Sequence, residues 1–389
     1  AIGISSILVF TIGFQRDSTS MNCLPSRCTQ IFIIGIVLTA RNLPASELTD
    51  LFVRGSEGYH TYRIPSLVSS TRGTLLAFCE GRKTSSIDDG DNDLLVRRSV
   101  DYGHTWYPQK LVYEEGNDKL ITIGNPCAVV DRMTGTIWLV FNRNNDDVLV
   151  THSRDDGETW SPPKNITHQV KKPSWGWYAT GPGIGIQLTH GSNKGRLMIP
   201  CDHRKTGNRT GPSSSHVIYS DDHGKTWTLG GETEPHSNEC QIVERSDGTL
   251  LLNARNHWAR SGQRPDLAYQ RILAISADGG LHWSSAGFDS TLIEPACQAS
   301  LIRYPAQSRQ GHYWMLFANP ASRKTRERLT ARLSRDDGRT WPVSHCFYEG
   351  SAAYSCLSVL DNGRVGLLFE RDQSSKISYL SFDLDTLCR

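Results

Sequence analysis

Ser153-Arg-Asp155-Asp-Gly157-Glu-Thr159-Trp160 is one of five copies of the same octet, and its reading decides the fold. The others are Ser99-Val-Asp-Tyr-Gly-His-Thr-Trp106, Ser220-Asp-Asp-His-Gly-Lys-Thr-Trp227, Ser276-Ala-Asp-Gly-Gly-Leu-His-Trp283 and Ser334-Arg-Asp-Asp-Gly-Arg-Thr-Trp341. An Asp at the third position accepts hydrogen bonds from backbone N–H groups just ahead and closes a turn. The Gly supplies the positive φ that such a turn requires. The Trp is a large apolar anchor, expected to pack the turn on its own sheet. Short strands flank the copies, such as Leu94–Arg98 before the first and Val217–Tyr219 before the third, so each octet reads as a hairpin of a small antiparallel sheet.

The copies start 54, 67, 56 and 58 residues apart, a mean of about 59. Repeated four-stranded sheets at that period arrange radially and leave only short protected edges. Taken from residue 47 onward, the chain holds six such sheets, one without a recognisable octet. No apolar periodicity long enough for a buried helix intervenes. The expectation is an all-β, six-bladed β-propeller whose octet carboxylates are structural.

The 389 residues contain 34 Gly, 10 Trp and 13 Tyr, which suits a turn-rich β protein. Lys and Arg number 42 against 40 Asp and Glu, without a basic stretch of the kind that grips nucleic acid, so no nucleic-acid partner is expected. Ile31–Ala40 is ten nearly pure apolar residues, too short for a bilayer span of roughly 20. Arg27 precedes it and small or turn-forming residues follow, the layout of a secretory signal. Met21 is then a candidate true start, and a retained membrane anchor is the alternative. Residues 1–46 are read as leader and over-extended N-terminus, 47–389 as the propeller, and the product as secreted or periplasmic with no stable membrane span. Eight cysteines lie beyond the leader without a CxxC pair, which disfavours a structural metal and leaves disulfides and buried thiols both open. Asn165-Ile-Thr167 and Asn208-Arg-Thr210 are glycosylation sequons.

From about Gly55 to Leu380 the sequence resembles the sialidases (exo-α-neuraminidases) of the mammalian and bacterial type, whose Asp box the octet matches. Asp boxes also occur in other propellers, so the functional signal lies elsewhere. Tyr62-Arg63-Ile64-Pro65 is similar to the motif holding the first of three arginines that clamp the substrate carboxylate. Asn253-Ala-Arg255-Asn256 resembles the segment of the second. Asn319-Pro320 followed by Arg326 resembles that of the third, with Arg323 and Arg328 close by. Glu370 occupies the place of the Glu that orients the first arginine. Arginine suits the task because guanidinium stays charged and binds carboxylate through two parallel hydrogen bonds.

Sialic acid carries its carboxylate on the anomeric carbon, so a carboxylate nucleophile meets like charge and a neutral phenol does not. Sialidases are the tyrosine exception among glycosidases. By the resemblance, Tyr354 in Ser351-Ala-Ala-Tyr354 is the nucleophile and Glu239 its base. Asp88 is the acid/base catalyst in a loop that also carries Asp89, and Arg82 lies near the substrate. Trp175-Gly-Trp177-Tyr178 either walls an N-acyl pocket or packs the blade. The expected activity is exo-α-sialidase with retention, acting on sialylated glycoproteins, glycolipids or oligosaccharides without cofactor or metal. A non-catalytic glycan- or protein-binding Asp-box propeller and a trans-sialidase are the rivals.

Overall fold

The structure, a computed structural model, describes residues 47–388 apart from 118, 206–210 and 259–263. The leader and the Asn208 sequon lie outside the described residues. β1 (Thr49–Val53) is followed by a sheet of β2 (Thr61–Ser69), β3 (Leu75–Arg82), β4 (Asn92–Ser99) and β5 (Lys110–Tyr113). The next contains β6 (Ile123–Val130), β7 (Ile137–Arg143), β8 (Asp147–Ser153) and β9 (Lys164–Asn165). A single turn of helix, α1 (Thr167–Val170), then leads to β10 (Trp175–Thr180). β11 (Gly183–Ile184) runs parallel to β6, while β12 (Ile186–Gln187) pairs with β13 (Leu197–Lys205). The third sheet is completed by β10, β14 (Ser213–Ser220) and β15 (Thr228–Glu232). β16 (Ser237–Glu244), β17 (Leu250–Asn256), β18 (Gln270–Ser276) and β19 (Gly287–Ile293) form the fourth. The last sheet has seven strands, β20 (Ser300–Gln307), β21 (Tyr313–Pro320), β22 (Glu327–Ser334), β23 (Val343–Val359), β24 (Val365–Arg371), β25 (Lys376–Phe382) and, at its edge, β1. Within it, β23 pairs with β22 up to Ser351 and with β24 from Ala352 onward. This is the all-β propeller expected from the repeat.

The core lies between sheets. Val68, Leu76 and Phe78 pack against Ala128, Leu139 and Phe141 of the next sheet, and Ile242, Leu250 and Leu252 against Met198 and Val217 of the preceding one. Tyr62, Leu67 and Leu75 meet Leu368, Ile377 and Tyr379, so the two ends of the described chain are joined through apolar contact and through β1 on β25. Burial at this scale contributes roughly 25 cal/mol per Å² of apolar surface, the main force holding neighbouring sheets together.

The five octets close as their sequence requires. Asp155 Oδ1 accepts the Thr159 N–H at 2.9 Å, the Thr159 hydroxyl donates to Oδ2 at 2.5 Å, and Ser153 Oγ donates to Oδ1 at 2.8 Å. The other four repeat the pattern, with the His282 ring 2.7 Å from Asp278 Oδ2 in place of a threonine hydroxyl. The expected packing of the tryptophans on their own sheet needs correction, because most reach the preceding one. Trp160 meets Phe78 edge-on at 5.6 Å, Trp227 meets Trp138 at 6.4 Å, and Trp106 meets Tyr379 at 5.1 Å. Trp283 donates to the Gly231 carbonyl at 3.2 Å. Trp341 meets Phe317 of its own sheet at 5.8 Å and shares a buried cluster with Val243 and Leu251 of the preceding one. The glycines show the same contact. A Cβ at Gly157 (φ +78°) would lie 2.3 Å from Leu76, and one at Gly224 (φ +85°) 2.1 Å from Trp138. Each octet therefore presses its turn against the preceding sheet, where a side chain has no room.

The cysteines resolve in favour of thiols. All eight beyond the leader are unpaired, and six of them are buried.

Asp155→Ala removes the three side-chain bonds that close the turn and is expected to destabilise the fold by about 1–3 kcal/mol. Burial tends to raise its carboxyl, but bonds from Thr159 and Ser153 outweigh this and lower it from 3.8 to about 2. A depressed folded-state value means the stabilisation is complete above the ordinary pKa and is lost as pH falls through 2. The stability gap between wild type and variant, measured by thermal melts, should narrow between about pH 4 and pH 2.

Candidate active site

Four inner strands carry a break in register at the same end of the molecule, and Arg63, Glu239 and Tyr354 sit on three of these breaks. The shifts fall between Arg63 and Ser66, Gly124 and Cys127, Ser237 and Cys240, and Ala352 and Ser355. A bulge of this kind re-aims a side chain out of the regular alternation. Ile64 takes φ +63° and Asn125 φ +54°, left-handed values that are strained for Ile above all. Buried carboxylates hold both bends, Glu370 Oε1 accepting Ile64 N–H at 2.8 Å and Glu80 Oε1 accepting Asn125 N–H at 2.9 Å.

Arg63, Arg255, Arg326 and Tyr354 converge. Tyr354 is 6% exposed, with the Arg63 guanidinium 5.2 Å and the Arg326 guanidinium 5.5 Å from its ring centre. Its hydroxyl donates to Glu239 Oε1, and Arg255 Nη1 donates to Glu239 Oε2 at 2.7 Å and to the phenol oxygen at 3.2 Å. Glu370 Oε1 accepts from Arg63 Nε at 2.8 Å and Oε2 from Nη2 at 3.2 Å. Arg328 instead pairs with Glu349, and Arg323 is exposed. Arg82, buried, binds Glu80 at 2.8 Å and Asp88 Oδ1 at 3.0 Å, and Arg63 Nη1 is 3.6 Å from the same Asp88 oxygen. Asp91 and Asp93 are occupied elsewhere, both pairing with Lys83. Arg97 pairs with Glu57.

The fields around these groups differ in sign. Burial and then the Glu239 charge push the Tyr354 phenol well above its ordinary value, against the pull of Arg255 and Arg326. Burial would also raise Glu239, but Arg255, the phenol's hydrogen bond and Arg326 outweigh it and hold the carboxyl low. The resting pair is therefore a neutral phenol donating to a carboxylate. For Asp88, desolvation is opposed and outweighed by Arg82, Arg63 and Arg326, so it too is held low. Its side chain is 83% exposed, at the open side of the cluster.

The chain matches the BNR repeat-like domain over residues 73–367. A sialidase of Micromonospora viridifaciens is 37% identical over 358 residues, covering 86% of this chain and 53% of that relative. The exo-alpha-sialidase of Aspergillus fumigatus is 30% identical over 362 residues, covering 81% of this chain and 80% of its own length. The chain belongs to the sialidase family. Among solved structures, the Hadza microbial sialidase Hz136 superposes with a TM-score of 0.76 at 32% identity, over 86% of this chain and 68% of that one. This sialidase-family chain thus spans about half the length of its Micromonospora relative.

Several supports carried no sequence signal. The Pro182 carbonyl accepts from Gln241 at 3.1 Å and Gln298 at 3.2 Å, and Gln298 Oε1 accepts the Ser355 N–H at 3.0 Å, directly behind Tyr354. Asp202 is buried beside Glu239, and burial followed by that charge pushes its carboxyl well above the usual carboxylate range. Arg271 and Glu294, both fully buried, form an ion pair; Arg271 Nη1 also donates to the Cys297 carbonyl at 2.8 Å, and Glu294 Oε1 accepts Asn256 N–H at 2.6 Å. Trp175 and Tyr178 are buried packing residues, with Trp175 stacked on His203 at 3.6 Å, and only Trp177 of that trio keeps a partly open ring. Among the described residues, no group of three His, Cys, Asp or Glu is placed to hold a metal ion.

Glu294→Ala leaves the Arg271 guanidinium buried and unpaired, and the expected loss is about 3–5 kcal/mol of folding stability, read from urea unfolding.

Proposed function

We propose that this chain is an exo-α-sialidase that releases terminal sialic acids from glycoproteins, glycolipids or oligosaccharides with retention. The observation that carries the reading is the Tyr354 hydroxyl bonded to Glu239 with Arg63, Arg255 and Arg326 around it. The three guanidiniums receive the substrate carboxylate, and Arg326, which makes no ion pair among the described residues, is free to turn to it. Tyr354 Oη attacks the anomeric carbon as its proton passes to Glu239, while Asp88 protonates the departing glycosidic oxygen. Asp88 then removes a proton from water, the water oxygen attacks the same carbon, and the phenol leaves with its proton returned from Glu239. Two displacements at one carbon retain configuration.

A binding propeller has no use for a phenol–carboxylate pair buried under guanidiniums. We assign six blades to the propeller, counting the seven-stranded sheet as two units that share β23. Residues 1–46 are assigned as an export leader and the remainder as a secreted propeller. No helix among the described residues is long and apolar enough to cross a membrane.

Tyr354→Phe should lower turnover of an alkyl sialoside by at least about 10²-fold and abolish retention, followed by NMR of the first-formed anomer. Asp88→Asn should lower it by about 10²–10⁴-fold, with a smaller effect on an activated aryl sialoside. Wild-type rate with retention in Tyr354→Phe overturns the mechanism.

The same site fixes a pH signature. Arg63 and Arg326 help to hold Asp88 low, and a bound substrate carboxylate offsets their charge, so the Asp88 pKa rises on binding. The alkaline limb of kcat should therefore lie at higher pH than that of kcat/KM, which reports the free enzyme.

A further inference from the structure

The inner strands end, away from the arginines, around a second cavity. Arg63 and Ser69 on β2, Glu239 and Glu244 on β16, and Tyr354 and Val359 on β23 are five or six residues apart. At ~3.3 Å per residue this places the cavity about 17–20 Å from the reacting groups. Its volume is about 370 Å³, within the range of small-molecule sites. Val68, Val129, Ile184, Val243, Ile302 and Val359 wall it.

The charge at this cavity is net positive. Arg132, Lys194 and Arg303 line it, and the one carboxylate among the lining residues is already engaged: Glu244 takes Arg303 at 3.0 Å, the Thr189 N–H at 2.8 Å and the His190 N–H at 3.0 Å. Arg132 and Lys194 make no ion pair or side-chain hydrogen bond among the described residues and are exposed. Apolar walls with two uncommitted cations complement an apolar body that ends in a single negative charge.

We infer that this cavity binds a medium-chain carboxylate, its alkyl chain among the valines and isoleucines and its head group at Arg132 and Lys194. The site is separate from the arginine cluster, and the inference does not rest on the catalytic reading. Space equal to roughly a dozen waters, at ~30 Å³ each, is to be emptied on binding. Affinity should therefore rise about fourfold for each methylene added between butanoate and octanoate.

Calorimetric titration of the intact chain with butanoate, hexanoate and octanoate tests this, with sialoside turnover followed in parallel. The expected result is saturable one-to-one binding that tightens with chain length and leaves turnover unchanged. Arg132→Glu with Lys194→Glu, both at exposed positions, should weaken octanoate at least tenfold without altering turnover or the melting temperature. 1-Octanol, lacking the charge, should bind more weakly than octanoate to wild type and equally to both proteins. Absence of saturable binding, affinity independent of chain length, or octanoate that competes with sialoside and ignores the double variant would each overturn the assignment.

Discussion

Glu370 has no exposed surface, yet its two oxygens take Arg63 Nε and Nη2, the N–H of strained Ile64 and, at 3.4 Å, the N–H of Tyr354. It stands on β24 and so ties β2 to β23 across the join between the two ends of the chain. A buried carboxylate of this kind is stable only when each lone pair is used. Here the satisfied acid fixes the first guanidinium, the bend that presents it and the backbone of the phenol in one step. Glu80 repeats the device one sheet on, joining Arg82 to the Asn125 bend, and Glu239 repeats it between Arg255 and the Tyr354 hydroxyl. Guanidiniums that would repel one another are held together because most arrive already neutralised.

The opposite end of the molecule solves a different problem with different parts. There the octets press Gly and Trp into the preceding sheet, and the residue before the Gly often adds a polar tie. Asp156 accepts from Thr74, His223 bonds Asp131, and Asp337 accepts from Ser246. Rigidity between sheets is thus secured at the octet end, which frees the other end to hold bulges and strained residues. That division leaves the repeated carboxylates closing turns at one end and the isolated ones pairing with arginines at the other.

The repeat was legible because its period and its φ requirement are local properties of the chain. The partner of each Trp was not, since nothing within an octet encodes which sheet lies behind it. One copy is missing for a topological reason: β25 is followed at the edge of its sheet by β1, from the other end of the chain, so no hairpin is needed there. The arginines were readable only through flanking motifs, and Arg326 differs from Arg323 and Arg328 solely in where β22 and the preceding turn aim it. The bulges left no trace in the sequence, because a register shift is a relation between two strands. Arg271, Glu294, Gln241 and Gln298 read as ordinary strand or loop polar residues until burial gives them weight.

The charges around the phenol set how the cluster responds to an anion. Arg63, Arg82, Arg255 and Arg326 face Glu370, Glu80, Glu239 and Asp88, while burial pushes the Asp202 carboxyl well above the usual carboxylate range. With all four acids ionised the cluster is balanced, and an incoming carboxylate adds an uncompensated charge in a partly desolvated place. With Asp88 protonated the cluster carries one positive charge, and the anion restores balance. Anion binding and protonation of Asp88 are therefore linked, each favouring the other by the same free energy. In the proposed mechanism, the proton that a departing glycosidic oxygen requires is drawn in by the carboxylate of the sugar it is leaving.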